Sequence, residues 1–205
     1  MTDPLSLRPV IRPTPHRDEE QRSFQRVMNQ KIGARLALYD SAARTGAPLG
    51  RLEQDHLDAP LPSNGWFWSI SHARDLVSGV VFKRRVGIDV EKVVPRKPHL
   101  VPPVASRTEL ELFGGFSWRA FARVWTAKES VLKKAGVGLG ELSRCEVVAV
   151  PGDDLLVVRH RDTNHRVHQL YVEGHVVSLS VDASSDFELE WTFDPEPPTM
   201  EPRER

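Results

Sequence analysis

Val86-Gly87-Ile88-Asp89-Val90-Glu91 and Trp125-Thr126-Ala127-Lys128-Glu129-Ser130-Val131-Leu132-Lys133-Lys134-Ala135-Gly136 decide how this chain is read. In the first stretch two carboxylates stand two apart in an apolar, β-branched run. Strand side chains alternate between faces, so Asp89 and Glu91 point the same way. The second stretch reads as a helix carrying Glu129, with Trp125 one turn before it and Lys133 one turn after. Glu129 and Lys133 can therefore reach one ligand. Three carboxylates converging on one point make a hard-cation site, and lysines beside them indicate a bound phosphate as well. The bland alternative is two solvent-facing acids at a strand end plus a surface Glu129–Lys133 pair. Against it, Glu129 falls on the stripe of Trp118, Phe121, Trp125 and Leu132, and a carboxylate on an inward face needs a partner or a metal.

The pairing of GIDVE with WTAKESVLKKAG, after a spacer of about 35 residues, resembles the 4′-phosphopantetheinyl transferase superfamily. The resemblance is to its single-chain, two-half type, the surfactin-synthetase-activating kind. A third element fits in order: Ser69-Ile70-Ser71-His72 resembles the family's N-[LI]-S-H-S element, which also precedes GID by some fifteen residues. The three together span Ser69 to Leu139, about a third of the chain.

The resemblance implies a set of roles. Asp89, Glu91 and Glu129 bind Mg²⁺, with Mn²⁺ as the alternative, and Glu129 or a water it orients is the base. Lys133 is catalytic, neutralising the pyrophosphate as the phosphoryl group transfers. The K-E-x-x-x-K pattern also puts Lys128 and Lys133 on the coenzyme A phosphates. Ser71 and His72 contact coenzyme A, His72 near its ribose phosphate; Ala73 follows where the family usually has serine. The family's opening helix carries an arginine, for which Arg35 is the choice here and Arg26 the other candidate. The family's G-[KR]-P-x-x-P element aligns with Asp58-Ala59-Pro60-Leu61-Pro62, which lacks the basic residue; Arg51 and Arg74 are the available substitutes.

The implied reaction is transfer of phosphopantetheine from coenzyme A, the co-substrate, to a serine of an acyl, peptidyl or aryl carrier protein, with release of adenosine 3′,5′-bisphosphate. A non-catalytic homologue that binds coenzyme A or a carrier protein and regulates a pathway is the alternative, kept open by the missing basic residue. The implied fold is α+β: two similar halves packed as a pseudo-dimer with the active site in the cleft between them. A fused pair of halves points to a monomer.

Lys+Arg and Asp+Glu both number 28 in 205 residues. The net charge is therefore zero, which argues against a sequence-independent nucleic-acid binder and with it a metal-dependent nuclease. Cys145 is the one cysteine, so no intrachain disulfide forms, and its apolar surroundings read as those of a buried small hydrophobe. No apolar run is long enough for a signal peptide or a membrane span, so the expectation is a cytoplasmic protein without membrane contact.

Along the chain, residues 1–17 hold four prolines and read as a flexible tail, as do residues 194–205 with four prolines and six charges. Residues 18–93 form the N-terminal half. It opens with a helix over 18–44 whose inner face carries Phe24, Val27, Met28, Ile32, Arg35, Leu36 and Tyr39. Strands follow at Trp66–Ser71, Leu76–Phe82 and Val86–Val93. Residues 94–193 form the C-terminal half. The proline-rich stretch 94–103 reads as an irregular connector. Ser106-Arg107-Thr108-Glu109 opens a short helix with a capping box, and a long helix runs from Ser117 to Ala135, ended by Gly136. Five strands then lie between Arg144 and Phe193.

Overall fold

The computed structural model describes residues 5–14, 23–182 and 186–196. Strands β1 (Leu5–Leu7) and β2 (Val10–Pro13) open it. Helix α1 (Ser23–Thr45) leads to β3 (Phe67–His72), β4 (Leu76–Phe82) and β5 (Gly87–Lys92). Two short helices, α2 (Val101–Val104) and α3 (Arg107–Glu111), precede the long α4 (Trp118–Ala135). The C-terminal part holds β6 (Cys145–Gly152), β7 (Leu155–His160), β8 (Thr163–Val172), β9 (His175–Val181), β10 (Phe187–Leu189) and β11 (Thr192–Phe193). The architecture is α+β.

Three sheets form: β11-β2-β4-β3, β5-β9-β8-β7-β6, and the pair β1-β10. One face of β4 and one face of β5 and β9 share a core, with Leu76, Val80, Phe82, Ile88, Val177 and Leu179 all buried in it. Helix α1 packs on the outer face of the four-stranded sheet through Ala34, Ala37 and Leu38. Helix α4 packs on the outer face of the five-stranded sheet through Val124, Ala127 and Val131. Each of the two larger sheets thus carries one long helix.

Several expectations change. Residues 5–14 are not a flexible tail: β1 pairs in parallel with β10, and β2 lies between β4 and β11. Proline is tolerated there because Pro13 stands at the end of its strand. The Arg12 guanidinium adds a tie, binding Asp40 of α1 and Asp194. Residues 1–4, 15–17 and 197–205 of the expected tails lie outside the described residues. The boundary between the halves also moves. β5 belongs to the C-terminal sheet, paired with β9, while β11 returns to the N-terminal sheet. The proline-rich connector contains a 3₁₀ turn at Pro98–Leu100 followed by α2. Prolines in a first helical turn remove no hydrogen bond that the turn needs.

The inner face of α1 is not the expected one. Phe24, Val27, Met28 and Tyr39 are exposed. The buried face is built of small residues, Ala34, Ala37, Ser41 and Ala42, with Leu38. Gly79 on β4 explains this: a Cβ there would lie 2.3 Å from the Leu38 backbone nitrogen. Backbone touches backbone, so large side chains are excluded from the contact.

The same device recurs at α4. A Cβ on Gly87 would lie 2.0 Å from the Ser130 carbonyl oxygen and 2.6 Å from the Lys134 nitrogen. Both are helix backbone atoms, so α4 would have to move away from β5. Gly87→Ala should therefore cost about 1–3 kcal/mol, the usual range for overpacking. The measurement is a thermal melt, with a fall of several degrees in Tm for a chain of this size. An unchanged Tm would show that α4 is not held at this contact.

Candidate active site

Gly87, Asp89 and Glu91 share the face of β5 that meets α4. Strand and helix run antiparallel there. Gly87 touches Ser130 and Lys134, Asp89 pairs with Lys133, and Glu91 and Trp125 line one cavity. Trp125, Glu129 and Lys133 are each one turn apart, so all three lie on the helix face turned to Asp89 and Glu91.

Asp89 is buried. Its Oδ1 accepts from Ser71 Oγ at 2.7 Å and from Lys133 Nζ at 2.7 Å. Its Oδ2 is buried with no hydrogen-bond partner. Glu91 is half-buried and bound by the Arg96 guanidinium at 2.6 Å. Burial, and then the Asp89 charge, push the Glu91 carboxyl above its ordinary value. Glu129 is pushed furthest, from 4.5 to about 7, first by burial and then by Asp89, with Lys133 opposing and Glu91 adding. The charges of Asp89, Glu91 and Glu129 thus act on one another.

The fit to a cation rests on the chain's own atoms. An orphaned buried carboxylate oxygen and two carboxyls raised above their ordinary pKa mark a cluster short of positive charge. Among the described residues no three His, Cys, Asp or Glu side chains already form a metal-holding group. Asp89 Oδ1 is engaged by Lys133 instead. The donor set, all carboxylate oxygen, suits a hard divalent ion.

Beside this cluster lies an open cleft of about 570 Å³ whose lining includes Arg26, His72, Arg74, Glu91, Lys92 and Arg96. His72 stands exposed at the end of β3. Desolvation of its ring, with Lys133 and then Lys31 nearby, lowers its pKa despite the opposing pull of Asp89. Lys92 is tied to Asp75. The cleft is lined mostly by basic side chains, with Glu91 of β5 its acidic member. A second cavity of about 310 Å³ shares Glu91, Lys92, Val94 and Arg96 with it. Its remaining walls are apolar, with Leu100, Trp118, Phe121 and Trp125 among them.

Three sequence-predicted residues sit elsewhere. Lys128 is buried in an ion pair with Glu109 at 2.7 Å and donates to the Val104 carbonyl at 2.7 Å. Lying between α4 and α2–α3, it is not presented to a ligand. Arg35 is exposed on α1 and does not line the cleft; Arg26, two and a half turns earlier, does. Ser71 is buried, with its hydroxyl on Asp89.

Glu109 is the residue that sequence reasoning credited only with a cap. It does complete the capping box with Ser106. It also accepts from the Val147 N–H at 2.8 Å and binds Lys128. Arg74, read only as a substitute, lines the cleft, whereas Arg51 is exposed beside Glu53. Cys145 is buried and its thiol is pushed up to about 11 by burial, as suits a structural residue.

Residues 85–180 match the family model of the 4′-phosphopantetheinyl transferase superfamily. Over 128 residues the chain is 27% identical to enterobactin synthase component D of Salmonella typhi. That alignment covers 58% of this chain and 53% of the relative, so the chain spans about half the length of the curated protein it matches. The matched span contains β5 and α4 entire. Both similarities support the superfamily.

The ionisation of Glu129 has a sign that can be measured. Its folded pKa, about 7, lies above the ordinary 4.5, so the folded chain holds a proton that the unfolded chain releases earlier. The resulting stability is fully present below pH 4.5 and is lost as pH rises through about 7. In chelator, Tm should fall between pH 5 and pH 8, and Glu129→Gln should flatten the fall; an equal slope in the variant would overturn the assignment. Lys128→Ala should leave Glu109 buried without its cation, costing about 3–5 kcal/mol of stability. A variant with wild-type Tm but a raised KM for coenzyme A would restore Lys128 to the ligand.

Proposed function

We propose that this chain is a 4′-phosphopantetheinyl transferase that uses coenzyme A and modifies a serine of an acyl, peptidyl or aryl carrier protein. The observation that carries the reading is the cluster of Asp89, Glu91, Glu129 and Lys133, of which Glu91 lines a cleft together with Arg26, Arg74 and Arg96. The superfamily match over residues 85–180 and the similarity to an enterobactin synthase component support the same chemistry. The interlocked helix-on-sheet units, with the acid cluster where they meet, favour the single-chain, two-half type acting as a monomer.

Asp89, Glu91 and Glu129 would hold a divalent cation, Mg²⁺ or Mn²⁺. When bound, that ion supplies the charge that neutralises a pyrophosphate. The rest of the chemistry belongs to side chains. Arg26, Arg74 and Arg96 attract and hold the phosphorylated end of the nucleotide, and His72, at the same rim, contacts its ribose phosphate. Arg26 and Arg74 stand in for the basic residue absent near Ala59.

Lys133 releases Asp89 to follow the phosphate and stabilises the growing negative charge of the leaving group. Glu129 is the base. The attacking serine hydroxyl gives its proton there as its oxygen bonds to the β-phosphorus. The bond from that phosphorus to the bridging oxygen breaks, and adenosine 3′,5′-bisphosphate departs.

The test is the intact mass of apo carrier proteins after incubation with coenzyme A and Mg²⁺. Wild type should add one phosphopantetheine group. Asp89→Ala should add none while keeping a cooperative melt. Lys133→Ala should lose at least about tenfold in kcat, roughly 1.4 kcal/mol of transition-state stabilisation. Arg74→Ala should instead raise KM for coenzyme A with kcat held. A folded Asp89→Ala retaining wild-type rate would sink the reading.

A further inference from the structure

We propose that Ser71 is a positioning residue for Asp89, holding one carboxylate oxygen so that the other is left open to a cation. The inference rests on the acid cluster being a cation site, as argued above. Ser71 belongs to the motif whose resemblance implies contact with coenzyme A, but its hydroxyl is already committed. A hydroxyl has one proton, and Ser71 Oγ gives it to Asp89 Oδ1 at 2.7 Å. The same oxygen accepts the Val90 N–H at 3.3 Å. The residue is 6% exposed. No donor remains for a phosphate.

The carboxylate of an aspartate turns easily about its last torsion, so partners decide which oxygen faces which way. Ser71 and Lys133 both engage Oδ1, which leaves Oδ2 buried and without a partner. An unmet acceptor of this kind is costly unless something supplies charge to it. The backbone tie matters equally. By accepting from Val90, the residue after Asp89, Ser71 fixes the hydroxyl relative to the strand that carries the carboxylate.

Ser69 provides the internal comparison. It too is buried on β3, and its Oγ accepts the Ile88 N–H at 3.1 Å. Both serines therefore join the edge of one sheet to the edge of the other. Of the two, Ser71 is the one bonded to Asp89.

Titration of the full chain with Mn²⁺, followed by the electron paramagnetic resonance of the free ion, tests this without coenzyme or carrier. Ser71→Ala should raise the Kd roughly 10- to 100-fold, as loss of a partner behind a metal ligand does. Ser69→Ala should stay within about twofold of wild type, while melting curves show similar losses of stability for the two variants. Ser71→Cys, similar in size but a weak donor, should match Ser71→Ala and replaces it if the alanine variant does not fold. Equal weakening by Ser69→Ala would reduce Ser71 to a general sheet tie and overturn the proposal. So would an unchanged Kd in Ser71→Ala, especially with a raised KM for coenzyme A. Wild type that binds no Mn²⁺ would overturn the cation-site reading, and this proposal with it.

Discussion

The absence of a side chain at Gly87 is the constraint on which the site depends. Its Cα lies against the backbone of α4 between Ser130 and Lys134, closer than any Cβ would allow. From that contact outward, β5 runs along the face of α4 that carries Lys133, Glu129 and Trp125. Asp89 is thereby brought to Lys133 and into the field of Glu129, and Glu91 to Trp125. A wider gap would separate acid from lysine, and the partial burial that shifts Glu129 would be lost.

The three lysines of α4 show how finely direction matters on a helix. Lys128 faces α3 and closes a buried ion pair with Glu109. Lys133 faces β5 and the acids. Lys134, about 100° further round, reaches Asp182 at 2.8 Å and the Val181 carbonyl at 3.2 Å. One anchors the helix on its far side, one serves the site, and one pins the helix to the end of β9. Among the described residues, Lys133 and Arg96 are the cations ion-paired to the three carboxylates of the acid cluster. A fully balanced core would be more stable, and this shortfall is the kind of local departure that functional sites carry.

Much of this was legible in the sequence because it is local. The order and spacing of the S-H, GIDVE and WxxxE elements, the capping box at Ser106 and the Gly136 stop all depend on neighbours within a turn or two. The face of α1 was not legible. Its apolar residues follow helical spacing yet point outward, while the packed face is made of alanines and serine chosen for closeness to Gly79. Hydrophobic periodicity has no sensitivity to a contact built from small residues. Lys128 was misjudged for a different reason: its partner Glu109 lies 19 positions away and looks like a cap until the fold brings it inward. The early strands were hidden by prolines and by partners nearly the whole chain away, at Phe187–Leu189 and Thr192–Phe193.

Those distant pairings bear on how the molecule is made. During synthesis β2 and β4 emerge early, but β11, the outer neighbour of β2, emerges only after every other described strand. Likewise β5 follows β4 directly yet waits for β9 before it has a ladder. Pairings of such long sequence separation carry a large loop-closure entropy and form slowly. The nascent N-terminal part therefore passes through an interval with open sheet edges, when it is most exposed to wrong pairing or to capture by chaperones. The acid cluster's strand and helix are both made before β9, so β5 meets α4 while its own sheet is still incomplete.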